Sequence, residues 1–100
     1  MAPPPPPARK VLFVEDEAAL QYSYQRFFKG KYDMAYAPNG AEAMRQLESF
    51  QPDVLVLDMR LPDTDGIALL QRIRERQPTL PVIVTTAYVS MEPLINVLDL

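Results

Sequence analysis

The chain contains no cysteine. That absence excludes a disulfide framework, a thiolate nucleophile and a zinc–cysteine site. Histidine is missing too, and 10 basic residues against 13 acidic ones leave a net charge of −3. Such a balance carries no electrostatic footprint for nucleic acid. No apolar run approaches the roughly 18 residues that a membrane-spanning helix needs, and the N-terminus lacks a signal-peptide core. The expectation is a cytoplasmic protein with no membrane segment and no direct nucleic-acid binding. What is present is an ordinary apolar and charged composition over 100 residues, one small domain. A chain of this size buries roughly two-thirds of its unfolded surface, so its core must be well covered.

Proline is concentrated at the start. Pro3–Pro7 favour polyproline II and cannot join a helix or sheet. Residues 1–9 therefore read as a proline-rich disordered lead. Nothing else in the segment supports the alternative, an SH3-type ligand. The domain is expected over residues 10–100.

The organising stretch is Asp53–Gly66, DVLVLDMRLPDTDG. Val54–Leu57 is apolar without alternation, the pattern of a strand covered on both faces inside a parallel sheet. It stops at Asp58. Val11–Val14 is a second such run and stops at Glu15 and Asp16; Val82–Val84 is another and stops at Thr85 and Thr86. Residues 32–37 read as a shorter strand. Between these runs the period changes to that of a helix. Leu20, Tyr24, Phe27 and Phe28 form one expected inward face, closed by Gly30. Ala43, Met44, Leu47 and Phe50 form the next, after a capping-box-like Asn39 and Glu42. Ile67, Leu70 and Ile73, with Leu69 beside them, follow a capping Asp65. A last helix carries Met91, Leu94, Ile95 and Leu98 after Ser90. Strict β-α alternation with short connections predicts a parallel sheet wound by right-handed crossovers, with helices on both sides.

In open sheets of this kind ligands bind beyond the carboxyl ends of the strands, where the strand order reverses. Glu15, Asp16 and Asp58 would converge there if their strands are neighbours. Three carboxylates at one place repel, so one takes up a proton or a cation joins them. Hard oxygen donors with open positions suit magnesium, and a carboxylate bridged to a metal is a credible nucleophile toward phosphorus. Thr86 would bring a hydroxyl donor to the same rim. Each residue also has a plainer reading. Asp16 can cap a helix, Glu15 can be a solvated charge, Asp58 can open a turn, and Thr86 can bond to backbone. An EF-hand reading of Asp63-x-Asp65-Gly66 fails in register: with Gly66 at loop position 6, Leu61 and Arg72 fall where the first and last ligands belong.

VLFVED, VLVLDMRLPDTDG and LPVIVTTAY together resemble the receiver domain of bacterial two-component response regulators, from Lys10 to Leu100. The resemblance implies a flavodoxin-like (CheY-like) α/β/α fold with the sheet in order 2-1-3-4 and a fifth strand after it. It implies that Asp58 is the phosphoacceptor, charged from a sensor histidine kinase or phosphotransfer protein. Asp16 and Asp58 would touch magnesium, Glu15 would act through water, and the Arg60 carbonyl would complete the protein ligands. Thr86 would be the switch hydroxyl, while Arg60 and Tyr88 fall at positions that tune the lifetime of the acyl phosphate. Phosphorylation would then switch partner binding.

One departure stands out. Receiver domains carry a fifth strand and helix, with a lysine after that strand and an aromatic switch residue on it. Here the last lysine is Lys31, so no catalytic lysine is expected in this chain. The sequence reads as a receiver domain incomplete at its C-terminus. The reading is a phosphoacceptor signalling domain and not a turnover enzyme. The alternatives are a pseudo-receiver that binds without being phosphorylated, and a magnesium-dependent phosphatase, for which the loop after Asp58 supplies no Asp-x-Asp arrangement. A fourth strand left bare at an apolar edge is a liability for strand exchange. The 100-residue chain is therefore expected to self-associate or to melt at low temperature. Sedimentation and thermal scans check this; a monodisperse monomer melting cooperatively well above ~60 °C would contradict it.

Overall fold

Each strand and helix expected before residue 86 is present. The computed structural model describes residues 9–85, in which β1 (Lys10–Val14), α1 (Ala18–Phe28), β2 (Asp33–Ala37), α2 (Gly40–Phe50), β3 (Val54–Asp58), α3 (Gly66–Arg76) and β4 (Val82–Thr85) follow in turn. The strands form one parallel sheet in the order β2-β1-β3-β4, a flavodoxin-like arrangement. The expected helix around Met91–Leu98 lies outside the described residues, as do Thr86 and Tyr88. Among the described residues no helix is long and apolar enough to cross a membrane.

The main core fills one side of the sheet. Strand residues alternate between faces, so Leu12 and Val14 of β1 and Leu55 and Leu57 of β3 point the same way, and all are fully buried. Ala43, Met44 and Leu47 of α2 and Leu69, Leu70 and Ile73 of α3 close over them. The sequence signals for these helices act locally as read. The Asn39 side chain accepts the Glu42 N–H at 2.8 Å, and Asp65 accepts the Ala68 N–H at 2.7 Å. After α2, Gln51 turns left-handed (φ 52°) and stops the helix before Pro52. Such caps satisfy N–H groups that have no partner inside the helix.

The other side differs from expectation. Phe13 anchors it, stacked on Tyr24 (4.7 Å), Tyr36 (5.4 Å) and Phe28 (6.0 Å). Beyond this aromatic cluster the cover thins. Leu20 and Phe27, expected to face inward, are 40% and 70% exposed. Val54 and Val56 are half-buried, and Ile83 is 56% exposed. The unbroken apolar run of β3 is thus buried on the α2–α3 side, that of β4 is only partly buried there, and both are more open on the other side. The physical reason is coverage: among the described residues α1 alone lies on that side, over β1 and β2, and does not reach β3 and β4.

Gly66 marks the tightest packing near the site. A Cβ there would meet the Met59 Cα at 2.5 Å. The chain can only close the connection between β3 and α3 with no side chain at this position, and Gly66 N–H bonds the Met59 carbonyl at 3.1 Å. Gly66→Ala should therefore destabilise the fold by about 1–3 kcal/mol, the usual cost of overpacking. Denaturant melts of the variant against wild type measure this.

Candidate acidic site

Register brings the acids together. β1 and β3 pair in parallel with Val14 opposite Leu57, so the next residue on each strand, Glu15 and Asp58, emerges side by side. Glu15 remains tied to the sheet on its far side, its N–H bonding the Ala37 carbonyl of β2 at 2.9 Å. Asp16 follows at the exposed turn into α1. Carboxylate oxygens of Glu15, Asp16 and Asp58 lie within 4.8 Å of one another. The convergence expected at the strand ends is present.

These residues line a crevice of about 500 Å³ with Glu17, Leu20, Tyr24, Arg60 and Thr85. Four of the lining side chains are carboxylates and one is a guanidinium. Glu15 is the least accessible of the acids, only 3% exposed, which rules out the solvated-charge reading. Burial is the main cause that pushes its carboxyl up to about 7, and the neighbouring Asp58 and Asp16 add to it. The Glu17 N–H, 3.2 Å from Glu15 Oε2, opposes the shift in part. Gln21 fixes the turn, its amide donating to the Glu15 carbonyl at 2.5 Å. Asp16 is not the helix cap: Glu17 occupies that position and its side chain makes no capping bond.

Asp58 Oδ1 accepts the Arg60 N–H at 3.1 Å, which sets the direction of the carboxylate, and the Glu15 carboxyl, while protonated, hydrogen-bonds the Asp58 side chain. Thr85 stands directly opposite Asp58 on β4, and its hydroxyl donates to the Leu57 carbonyl at 3.3 Å. That hydroxyl serves the strand end. Thr86 and Tyr88, expected at this rim, fall among the residues not described. The donor set fits a hard divalent cation: three carboxylates within reach of one centre, with a surplus of negative charge that a cation would relieve. Sequence reasoning missed Leu20 and Tyr24 as walls of the crevice, because periodicity assigns them to the core. It also missed Gln21, whose bond to the Glu15 backbone has no sequence signal.

Comparison with known proteins agrees in one direction. The family described as "Response regulator receiver domain" matches over residues 11–100. The chain is 37% identical over 87 residues to the DNA-binding transcriptional regulator NtrC of Escherichia coli K12, covering 86% of this chain and 19% of that protein. It is 36% identical over 83 residues to the alkaline phosphatase synthesis transcriptional regulatory protein PhoP of Bacillus subtilis, covering 79% and 33%. The chain thus spans a fifth to a third of the length of these curated relatives. Among solved structures, the Francisella response regulator 1452 receiver domain superposes with a TM-score of 0.77 at 33% identity, covering 91% of this chain and 76% of that one. A CheY-like response regulator receiver domain protein of Methanospirillum hungatei JF-1 gives 0.83 at 26%, covering 92% and 74%.

The raised Glu15 carboxyl has a pH consequence. Unfolded, Glu15 releases its proton near 4.5; folded, it keeps it to about 7. Between these values the folded state binds more protons, so this group's contribution lowers stability as pH rises through the window. Glu15→Gln should flatten that decline and stabilise the metal-free chain above neutrality by about 1–3 kcal/mol. Denaturant melts across the window in the presence of a chelator check it; wild type and variant giving parallel profiles would refute it.

Proposed function

We infer the role of this crevice from the premise that the chain belongs to the response regulator receiver-domain family: Asp58 accepts a phosphoryl group in two-component signalling. The observation that carries the reading is the convergence of Glu15, Asp16 and Asp58 within 4.8 Å at adjacent strand ends. Asp58 is the phosphoacceptor. It lies at the end of β3, half-buried, with one oxygen held by the Arg60 N–H, and ionisation of the neighbouring Glu15 carboxyl would release the other for attack. The donor would be a phosphohistidine on a sensor kinase or phosphotransfer protein. Asp58 Oδ2 forms a bond to phosphorus, the N–P bond breaks, and its electron pair returns to the imidazole, which takes a proton from solvent.

Asp16, Asp58 and the Arg60 carbonyl would hold magnesium, with Glu15 acting through water. When bound, the ion offsets the charge of the phosphoryl oxygens and of the carboxylates around them. Glu15 contributes through its burial. A carboxyl that resists ionisation in the bare crevice gains a reason to ionise when a cation arrives. Leu20 and Tyr24 form an apolar wall of the crevice. Thr86 is retained as the switch hydroxyl, and Arg60 and Tyr88 as the residues that set the lifetime of the acyl phosphate. The phosphoryl group adds about −1.5 to −2 charge in the manner of other phospho-residues. It biases two pre-existing states by the different contacts it makes in each, and a partner reads the outcome.

Incubation with magnesium and acetyl phosphate tests the assignment without a kinase. The expected outcome is a single phosphoryl mass gain, labile to hydroxylamine, that requires magnesium and is lost in Asp58→Asn. Asp16→Asn should slow its formation by about ten-fold or more, the scale on which metal sites respond to a lost partner. A mass gain that survives Asp58→Asn would remove Asp58 as acceptor.

A further inference from the structure

The connection between β3 and α3 is closed on itself. Gly66 N–H bonds the Met59 carbonyl at 3.1 Å, Arg60 and Asp65 pair as an antiparallel bridge, and Arg60 N–H returns to Asp58 Oδ1 at 3.1 Å. The result is a small ring with Arg60 at its base, beside the acidic crevice, and residues 61–64 at its tip. Met59 and Gly66 are buried at its base and Leu61 packs partly against the core, while Arg60, Pro62 and Asp63 are exposed. These contacts hold the base of the loop, and the exposed tip at Pro62 and Asp63 lies beyond them.

The tip is fastened from outside. Asp63 Oδ1 accepts the Gly40 N–H at 2.7 Å and Oδ2 accepts the Ala41 N–H at 3.1 Å, so both oxygens are committed to the first turn of α2. The contact is close: a Cβ on Gly40 would lie 2.6 Å from Thr64 Cγ2. Two charge-assisted bonds at the positive end of a helix form a strong attachment for a surface loop, and they hold the Asp63 carboxyl below the usual carboxylate range. The helix has its own local cap in Asn39, which serves Glu42 N–H. Asp63 reaches it from a different connection and gives the exposed tip of the loop a fixed point of its own.

We propose that Asp63 is a positioning residue for the acidic site: by clamping the loop tip to the N-terminus of α2, it holds the Arg60 carbonyl where it can join Asp16 and Asp58 around magnesium. The inference rests on the magnesium reading of the crevice given above. Asp63 does not touch the ion. It acts through the backbone of Arg60, three residues earlier in the same ring.

Calorimetric titration of the whole chain with magnesium chloride tests this in wild type, Asp63→Ala, Asp63→Asn, Asn39→Ala and Asp58→Asn. Asp63→Ala should weaken magnesium binding by about ten-fold, as loss of an outer partner of a metal ligand does, with Asp63→Asn in between because it keeps one acceptor oxygen. Asn39→Ala removes a cap from the same helix end and should lower the melting temperature, yet leave the magnesium Kd within about two-fold of wild type. Wild-type affinity in Asp63→Ala would overturn the proposal, and so would an equal loss in Asn39→Ala, since that would make the effect one of helix stability alone. Should Asp63→Ala not fold, wild-type affinity in Asp63→Asn overturns it as well. Failure of the underlying reading has a different signature. It would appear as no magnesium binding by wild type, or as wild-type affinity in Asp58→Asn, and either result would take this inference down with it.

Discussion

The parallel pairing of β1 with β3 is the constraint on which the site depends. A strand can end in an acid without consequence. Two neighbouring strands in the register Val14–Leu57 cannot both do so without bringing like charges together. The core on the α2–α3 side holds that register, because a slip of one residue would turn Leu12, Val14, Leu55 and Leu57 out of it. Fully buried leucines and valines therefore impose a cost on the carboxylates at their ends. The electrostatic conflict at Glu15, Asp16 and Asp58 is maintained by apolar packing that does not itself touch the crevice.

Within the site the acids are not equivalent. Glu15 is the most enclosed, and burial pushes its carboxyl up; Asp16 is exposed, and Asp58 lies between them in exposure with one oxygen committed to backbone. This gradient suits a division of labour. On the phosphoacceptor reading proposed for the crevice, the exposed acid would meet an arriving cation, the intermediate one would present an oxygen for chemistry, and the enclosed one would give up its proton to the solvent as the cation arrives. Receiver-domain membership explains why such an arrangement exists, and the local geometry explains how each carboxylate differs from the next.

The surroundings divide into a firm side and an open one. α2 and α3 pack on one face of the sheet and are tied near their starts through the β3–α3 loop, whose Asp63 bonds α2 while its Asp65 caps α3. The loop that frames the acidic crevice is thereby braced against two helices. On the opposite face the Phe13 aromatic cluster holds α1 to β1 and β2, while Val54, Val56 and Ile83 keep part of their surface accessible. Local stability follows the density of buried apolar contacts, so the crevice opens beside the less tightly covered half of the sheet.

The alternation of elements, their approximate bounds, the helix starts at Asn39 and Asp65, and the carboxylates at the strand ends were legible in the sequence, because each rests on periodicity or on bonds between residues close in the chain. The approach of Glu15 to Asp58 could be expected once the strands were taken as neighbours, since register then does the rest. Other features depend on which pieces meet in space. Leu20 and Phe27 carry an inward-facing pattern and yet stay exposed, and Ile83 sits in an unbroken apolar run with one side open, because burial requires something opposite and periodicity names no partner. Gln21 on the Glu15 carbonyl and Asp63 on the α2 N-terminus join distant segments or a side chain to backbone. Neither bond leaves a mark in residue order. The chain's own sequence determined which chemistry was available and at which ends of which strands it would stand. Tertiary structure alone decided how deeply each carboxylate is buried and which loop is held, since solvation and long-range hydrogen bonds are properties of the assembled fold.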